Sequence, residues 1–196
     1  PYDFNCPVIC MDEQLVKETR QPIPATKGHA LRVDYEYERV RIASIFMFTE
    51  PLSGWRQATA RKRRTKVDWA QEVACHLEGR YAAREKIILV CDNLNTHTKG
   101  AFYEAFEPAK ARVLIRRIEF CYTPKHGSWL NIAENELSSM TRQCLNDRRI
   151  GELETLQEEI DAWSLDVNST QRGVDWQFKI DDARCKLKSI YPKILL

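Results

Sequence analysis

The 196-residue sequence predicts a single α/β domain in which helices flank a mixed five-stranded sheet. Two observations predict this fold class. Apolar runs separated by turn signals fill the first part of the chain, as in an antiparallel meander. From residue 67 the apolar residues change to helical spacing, and the near-continuous apolar run at 86–92 indicates a strand covered on both faces.

Three strands open the predicted order. The run PVICMD at 7–12 predicts the first strand, and RVRIASIFMFT at 39–49 predicts the second. Between them, two prolines and a glycine within 21–30 exclude regular structure. The turn signal EPLSGW leads into a third strand, whose polar and basic residues are typical of a sheet edge.

The remaining elements alternate between helices and strands. The predicted helices cover 67–82, 99–106, about 129–146 and 152–168, and the predicted strands cover 86–92 and 113–122. The tail has helical character around DDARCKLKSIY. Three antiparallel strands followed by helix, parallel strand, helix, strand and further helices match the order of the ribonuclease-H-like fold.

Composition limits the class of protein. Hydrophobic residues make up 43% and charged residues 30%, as in ordinary globular domains, and no apolar run approaches the length of about 20 residues that a membrane span needs. The first residues lack the pattern of a secretory signal. The seven cysteines contain no CxxC pair, which favours reduced structural thiols over zinc ligands. We therefore expect a cytoplasmic protein.

Basic residues are clustered although the net charge is only +2. Clustered Lys and Arg displace counterions from a phosphate backbone and so favour nucleic acid, although each cluster alone could equally be a solvated charged edge. Smaller clusters follow near residues 110–117 and 142–149. The densest cluster, in GWRQATARKRRTK, is our first choice for DNA-backbone binding and includes Arg61, Lys62, Arg63, Arg64 and Lys66.

Three acids stand where buried elements should end or begin. Asp12 closes the first strand, Asp92 closes the strand at 86–92, and Glu134 lies in the first turns of the helix near 129. Carboxylates from two adjacent strands and a later helix can converge to hold divalent cations, which phosphoryl transfer uses to neutralise developing charge. The trio therefore indicates an enzyme that cuts or joins nucleic-acid backbones.

Two motifs surround these acids. In DNLNTHT, Asn93 and His97 could orient a water, a phosphate or the aspartate itself, whereas the alternative is a turn Asp that caps a helix. In YTPKHGSWLNIAENEL, Lys125 and His126 are cationic donors for DNA, and Asn131 is a candidate helix cap.

The choice between the two acids of this helix depends on helical phase. Glu136 competes with Glu134, but two positions rotate a helix by about 200°, so only one can face the aspartates. Glu134 could alternatively close a capping box with Asn131.

The segments CMDE, VCDNLNTHT and YTPKHGSWLNIAENELS resemble the catalytic domain of bacterial insertion-sequence transposases of the Tc/mariner superfamily. The resemblance extends through ETRQPIP, VDYEYERV, EPLSGWR, VDWQF and DARCKLKSIYP, from about residue 6 to the end. It implies a ribonuclease-H-like fold and an Asp-Asp-Glu triad at Asp12, Asp92 and Glu134, with Glu13 and Glu136 as neighbours rather than ligands. Full-length relatives carry a helix-turn-helix region before this domain, so residues 1–196 are expected to form the catalytic domain alone.

The resemblance also implies a mechanism and partners. Two Mg²⁺ ions, with Mn²⁺ as an alternative, would be bridged by Asp12 and held singly by Asp92 and Glu134. The expected activity is hydrolysis at transposon ends followed by strand transfer into target DNA. The expected partners are double-stranded DNA and a second copy in a synaptic homodimer, and the expected location is the bacterial nucleoid. The alternatives are a ribonuclease-H-like nuclease without strand transfer and an inactive DNA-binding fragment.

Overall fold

A computed structural model gives the fold of most of the chain. The predicted irregular segment at 21–30, the start of the predicted second strand, His126 and the end of the tail lie outside the described residues. The structure describes residues 2–17, 27, 42–125, 127–146, 148, 150–170, 173–174 and 179–186.

Five strands form one mixed sheet, which confirms the predicted fold class. In space their order is β3-β2-β1-β4-β5. The strands β1 (Val8–Lys17), β2 (Ile42–Glu50) and β3 (Trp55–Arg61) are antiparallel neighbours, and β3 is an edge strand as predicted. The strands β4 (Ile87–Cys91) and β5 (Ile118–Tyr122) continue the sheet in parallel with β1.

The first strand is longer than predicted, so Asp12 does not end it. Strand β1 pairs with β4 only from Val8 to Cys10, but it pairs with β2 as far as Lys17. Backbone hydrogen bonds from β2 extend the strand through a polar stretch in which no apolar run signals it. Beyond Cys10 the strands β1 and β4 are no longer paired, and a crevice can open there.

Helices on one face of the sheet cover the larger of the two apolar clusters that the described residues form. Helix α1 (Lys66–Glu78) begins with a capping box formed by Thr65 and Asp68, and buries Trp69 against the sheet. Helix α2 (Lys99–Ala105) packs against it, close to the predicted bounds.

A further helix on this face replaces much of the predicted strand 113–122. Helix α3 spans Pro108–Arg116, and only Ile118–Tyr122 is extended. Proline at the first helical turn favours this start, since its missing N–H would have no intrahelical partner there. The consecutive residues Val113, Leu114 and Ile115 resemble a strand, but the buried residues are Ala111 and Leu114, three positions apart, as on one face of a helix.

The other face carries the helices near the C-terminus. The predicted helix 129–146 consists of a 3₁₀ turn at Ser128–Leu130, helix α4 (Ile132–Met140) and a π-helical turn at Thr141–Leu145. Helix α5 (Leu153–Thr170) packs on β3, and a short helix α6 follows at Ile180–Lys186. No helix in the described ranges is long and apolar enough to cross a membrane.

A buried ion pair fixes the position of α4 on this face. The guanidinium of Arg56 on β3 donates to Glu136 through Nε (2.6 Å) and Nη2 (2.9 Å), and both side chains are buried. Asn168 of α5 binds the backbone N–H and C=O of Arg56 (2.8 and 2.7 Å). Glu136 therefore connects α4 to the sheet edge.

Candidate active site

Asp12 and Asp92 occupy matching positions on adjacent parallel strands. The last pair between β1 and β4 joins Cys10 to Val90, and each aspartate lies two residues beyond its member of that pair. Side chains two positions apart on a strand point to the same face, so Asp12 lies on the face of Cys10, which packs with α4 and α5. Asp92 directly follows β4, at the carboxyl end of a parallel strand, where α/β sheets usually bind ligands.

Asn131 brings the third acid to this crevice. Its side-chain oxygen accepts from the N–H of Ala133 (3.2 Å) and caps α4, as predicted, while its Nδ2 donates to the carbonyl of Met11 (2.8 Å). The residue is completely buried. Because Met11 precedes Asp12 and Glu134 lies in the first turn of α4, this bridge sets the two acids on one cleft.

The capping-box alternative for Glu134 does not describe the structure. The backbone N–H of Asn131, which the box would engage, donates instead to the carbonyl of Ser128 (2.7 Å). Glu134 and Asp12 both line an open cleft of about 460 Å³, together with Gln14, Ser138 and Arg142. Glu134 and Glu136 therefore lie on different sides of α4, and only Glu134 reaches the cleft.

The charges of Asp92 and Glu134 act on the carboxyl group of Asp12. Burial raises the pKa of Asp12, the backbone N–H of Glu13 lowers it, and the charges of Asp92 and Glu134 raise it again, so that it reaches about 6. A cation in the cleft would relieve this repulsion and favour the ionised form.

His97 is completely buried between two acids. Its Nδ1 lies 2.5 Å from the side-chain oxygen Oδ1 of Asp92, the distance of an ion pair. The same nitrogen is aligned for a hydrogen bond with the backbone carbonyl oxygen of Asp92, at 3.3 Å. Its Nε2 lies 3.8 Å from Oε1 of Glu13. Burial lowers the pKa of His97, but Asp92 and Glu13 outweigh burial and raise it to about 9. Of the orientations open to His97 on sequence grounds, the structure shows contact with the aspartate.

Residues of the basic segment at the end of β3 differ in their contacts. Arg61 binds Glu72, Gln71 and Asp68. Arg64 reaches Glu13 beside the site, at 3.7 Å, with its side chain 43% exposed.

The other predicted DNA contacts are exposed cations. Lys66 makes an exposed ion pair with Glu104 at 3.2 Å. Lys62 and Arg63 are exposed and make no ion pair within the part of the chain that the structure describes. Lys125 and Asn93 are also exposed, on the loops that follow β5 and β4.

Sequence reasoning missed the support beneath the site. On sequence grounds Glu13 is only a neighbour of the acids, and Trp69 is not singled out. The Trp69 ring stacks on His97, with centroids 5.2 Å apart, and its Nε1 donates to the Met11 sulfur at 3.4 Å. Alternation along β1 could have placed Glu13 on the face opposite to Asp12, but only the fold brings His97 to it.

The chemistry of the acid trio fits a hard divalent cation, although the side chains are not drawn together around one. Three carboxylates supply the oxygen ligands that Mg²⁺ and Mn²⁺ prefer. Among the described residues, no group of three or more His, Cys, Asp or Glu side chains is arranged so that it could hold a metal ion. A shared ion would have to draw the carboxylates closer.

Comparison with known proteins gives a family match and a structural match. A family model described as DDE superfamily endonuclease matches residues 7–157. The crystal structure of the Mos1 mariner paired-end complex with Mn aligns with 83% of this chain and 49% of that chain, at a TM-score of 0.53 and 14% identity. The Mos1 strand-transfer complex aligns with 83% of this chain and 48% of that chain, at a TM-score of 0.55 and 12% identity.

These matches define the fold of the chain. The chain spans about half the length of the Mos1 chains that it matches. A comparison with curated proteins finds no match. The shared architecture and the sheet order confirm the predicted ribonuclease-H-like fold.

The Asn131 bridge can be tested by separating its two hydrogen bonds. We expect Asn131→Ala to lower the free energy of unfolding by about 2–4 kcal/mol, because it removes a helix cap and leaves the buried Met11 carbonyl without a partner. Asn131→Ser keeps a capping oxygen but is too short to replace the bond to Met11, so its loss should be smaller but clear. Urea unfolding measures both; wild-type stability in Asn131→Ser would contradict a contribution from the bond to β1.

Proposed function

The chain belongs to the DDE superfamily endonucleases, and we propose that it is the catalytic domain of a DNA transposase. The reaction proposed is metal-dependent hydrolysis of phosphodiesters at transposon ends, followed by strand transfer into target DNA. One observation carries the proposal: Asp12 of β1 and Glu134 of α4 line one cleft, and Asp92, directly after β4, is near enough for its charge to act on Asp12.

The structural neighbours support the proposed substrate. The Mos1 structures are a paired-end complex with Mn, a paired-end complex with the left transposon end and a strand-transfer complex. By analogy we propose double-stranded DNA as the partner, including transposon ends and target. Because synapsis holds two ends at once, we further propose that the protein acts as a homodimer on nucleoid DNA. We propose residues 1–196 as one catalytic domain.

Asp12, Asp92 and Glu134 are the residues that would hold the cation. We propose Mg²⁺ as the ion, with two ions bound and Mn²⁺ as a substitute. Divalent ions supply Lewis-acid stabilisation of the charge that develops on the phosphoryl oxygens. Other residues of the protein position these acids: Asn131 holds the start of α4, and with it Glu134, against β1, and His97 orients Asp92.

We propose that exposed Lys and Arg side chains near the site bind the phosphate backbone of DNA. Lys62, Arg63 and Arg64 follow the end of β3, and the contact of Arg64 with Glu13 places this segment beside the acids. Lys125 lies on the loop that leads from β5 towards α4, and we propose that His126, the next residue in the sequence, also contacts DNA. Phosphate contacts of this kind fix the register of the duplex without reading its sequence.

Two neighbouring glutamates on α4 provide a matched test of the site. We expect Glu134→Gln to reduce Mg²⁺-dependent plasmid nicking at least about a hundredfold, because several kcal/mol of transition-state stabilisation are lost. Its melting temperature should be unchanged, since Glu134 makes no side-chain ion pair among the described residues. Glu136→Gln should do the opposite: it should lower the free energy of unfolding by about 3–5 kcal/mol, because the buried guanidinium of Arg56 loses the carboxylate charge that it pairs with, and the folded fraction should still nick.

The same assay separates the alternatives. A precleaved transposon end joined to target DNA supports strand transfer, whereas nicking without joining identifies a nuclease. Equal nicking by wild type and Glu134→Gln would overturn the catalytic role, and a wild type without metal-dependent nicking would identify a DNA-binding fragment.

The basic segment can be tested by the salt dependence of DNA binding. Arg63→Gln should reduce the slope of log affinity against log salt by about 0.9, because one phosphate contact releases about that many counterions. Arg80→Gln is the charge-matched control, since Arg80 lies over Trp55 and pairs with Glu50. Fluorescence anisotropy with labelled duplex measures both slopes; equal reductions would show a general charge effect and contradict a local contact.

A further inference from the structure

We propose that Glu13 is a positioning residue that sets the orientation of both aspartates of the site, and this inference rests on the proposed function. Its backbone N–H donates to Oδ1 of Asp12 at 2.7 Å. Its side chain faces His97, whose other ring nitrogen contacts Asp92. One residue therefore connects to the acids of two different strands.

Glu13 lines the same cleft as Asp12 and Glu134, but its side chain lies on the other face of the sheet from Asp12. Successive residues of a strand point to opposite faces of the sheet. Met11, two residues earlier, packs in the core beneath α1, and Cys10 packs with α4 and α5. Glu13 therefore lies on the α1 side with Met11, whereas Asp12 lies on the α4 side with Glu134.

The two nitrogens of the buried His97 ring face Asp92 and Glu13, and Nε2 makes no hydrogen bond among the described residues. Trp69 stacks on its face at a centroid distance of 5.2 Å and an interplanar angle of 28°. Tyr122 donates through its hydroxyl to the carbonyl of His97 at 2.9 Å. With the ring completely buried, Glu13 and Asp92 are the acids at its two nitrogens.

The burial of the Glu13 carboxylate destabilises the fold, which favours a functional role for this residue over a stabilising one. The Glu13 side chain is only 3% exposed, and its Oε2 is buried without a hydrogen-bond partner among the described residues. A buried carboxylate oxygen without a partner destabilises a fold. The contact with Arg64 is long, at 3.7 Å, and Arg64 is 43% exposed, so this ion pair compensates little.

Some residues do not bind the metal but contact a metal ligand and orient it. Their removal typically changes metal affinity by about 10–100-fold. We therefore expect Glu13→Ala to weaken Mn²⁺ binding by about that factor. Glu13→Gln keeps the shape of the side chain and an oxygen facing Nε2 of His97, so its effect should be smaller. If Glu13 were itself a ligand, Glu13→Gln would lose Mn²⁺ as completely as Asp92→Asn does.

The test is Mn²⁺ binding without DNA, followed by electron paramagnetic resonance. It compares wild type with Glu13→Ala, Glu13→Gln, His97→Gln, the double variant Glu13→Gln/His97→Gln, and Asp92→Asn as the ligand control. Because Glu13 acts through His97, the double variant should bind Mn²⁺ no more weakly than the weaker single variant. Multiplication of the two single effects would overturn the inference, and so would wild-type affinity in Glu13→Ala. Melting temperatures identify a variant that fails to fold, and Glu13→Gln, which conserves shape, then carries the test.

Failure of this inference can be distinguished from failure of the proposed function. If wild type neither binds Mn²⁺ nor nicks DNA, the metal-dependent function is wrong. If wild type does both and the Glu13 and His97 variants are independent, only the role of Glu13 is wrong.

Discussion

The side chain of Asn131 joins two parts of the molecule that are 120 residues apart in sequence. Its amide holds the Met11 carbonyl of β1, and its oxygen starts α4. Asp12 directly follows Met11, and Glu134 lies three residues after Asn131. The position of Glu134 relative to Asp12 therefore depends on this bridge. A buried polar bridge is more specific than apolar packing, since each of its atoms has a single well-aligned partner. The ion pair of Glu136 then holds the same helix from its other side.

The sheet contributes by ending one of its pairings early. Strand β1 leaves β4 after Cys10 but stays with β2, so the strand that carries Asp12 remains rigid while a crevice opens beside it. Alternation along this rigid strand sends Asp12 towards α4 and Glu13 towards α1. Helices on both faces of the sheet therefore serve one site: α4 supplies Glu134, and the α1 side supplies Trp69 beneath His97.

Much of this arrangement could be predicted from sequence because it is local. The strand order, the edge position of β3 and the cap at Asn131 follow from periodicity and residue type. Helix α3 was missed because Val113 and its apolar neighbours form a strand-like run, and tertiary burial decided otherwise. The extension of β1 and the contact between Glu13 and His97 depend on partners that are distant in sequence, which no local pattern contains.

The central claim is that three acids from separate elements hold the cations that cut DNA. Anomalous diffraction from crystals of the protein with a DNA end and Mn²⁺ tests it most directly. The account predicts anomalous density in contact with the carboxylates of Asp12, Asp92 and Glu134, with Glu136 still bound to Arg56. Manganese bound elsewhere on the chain, with none at these three carboxylates, would contradict it.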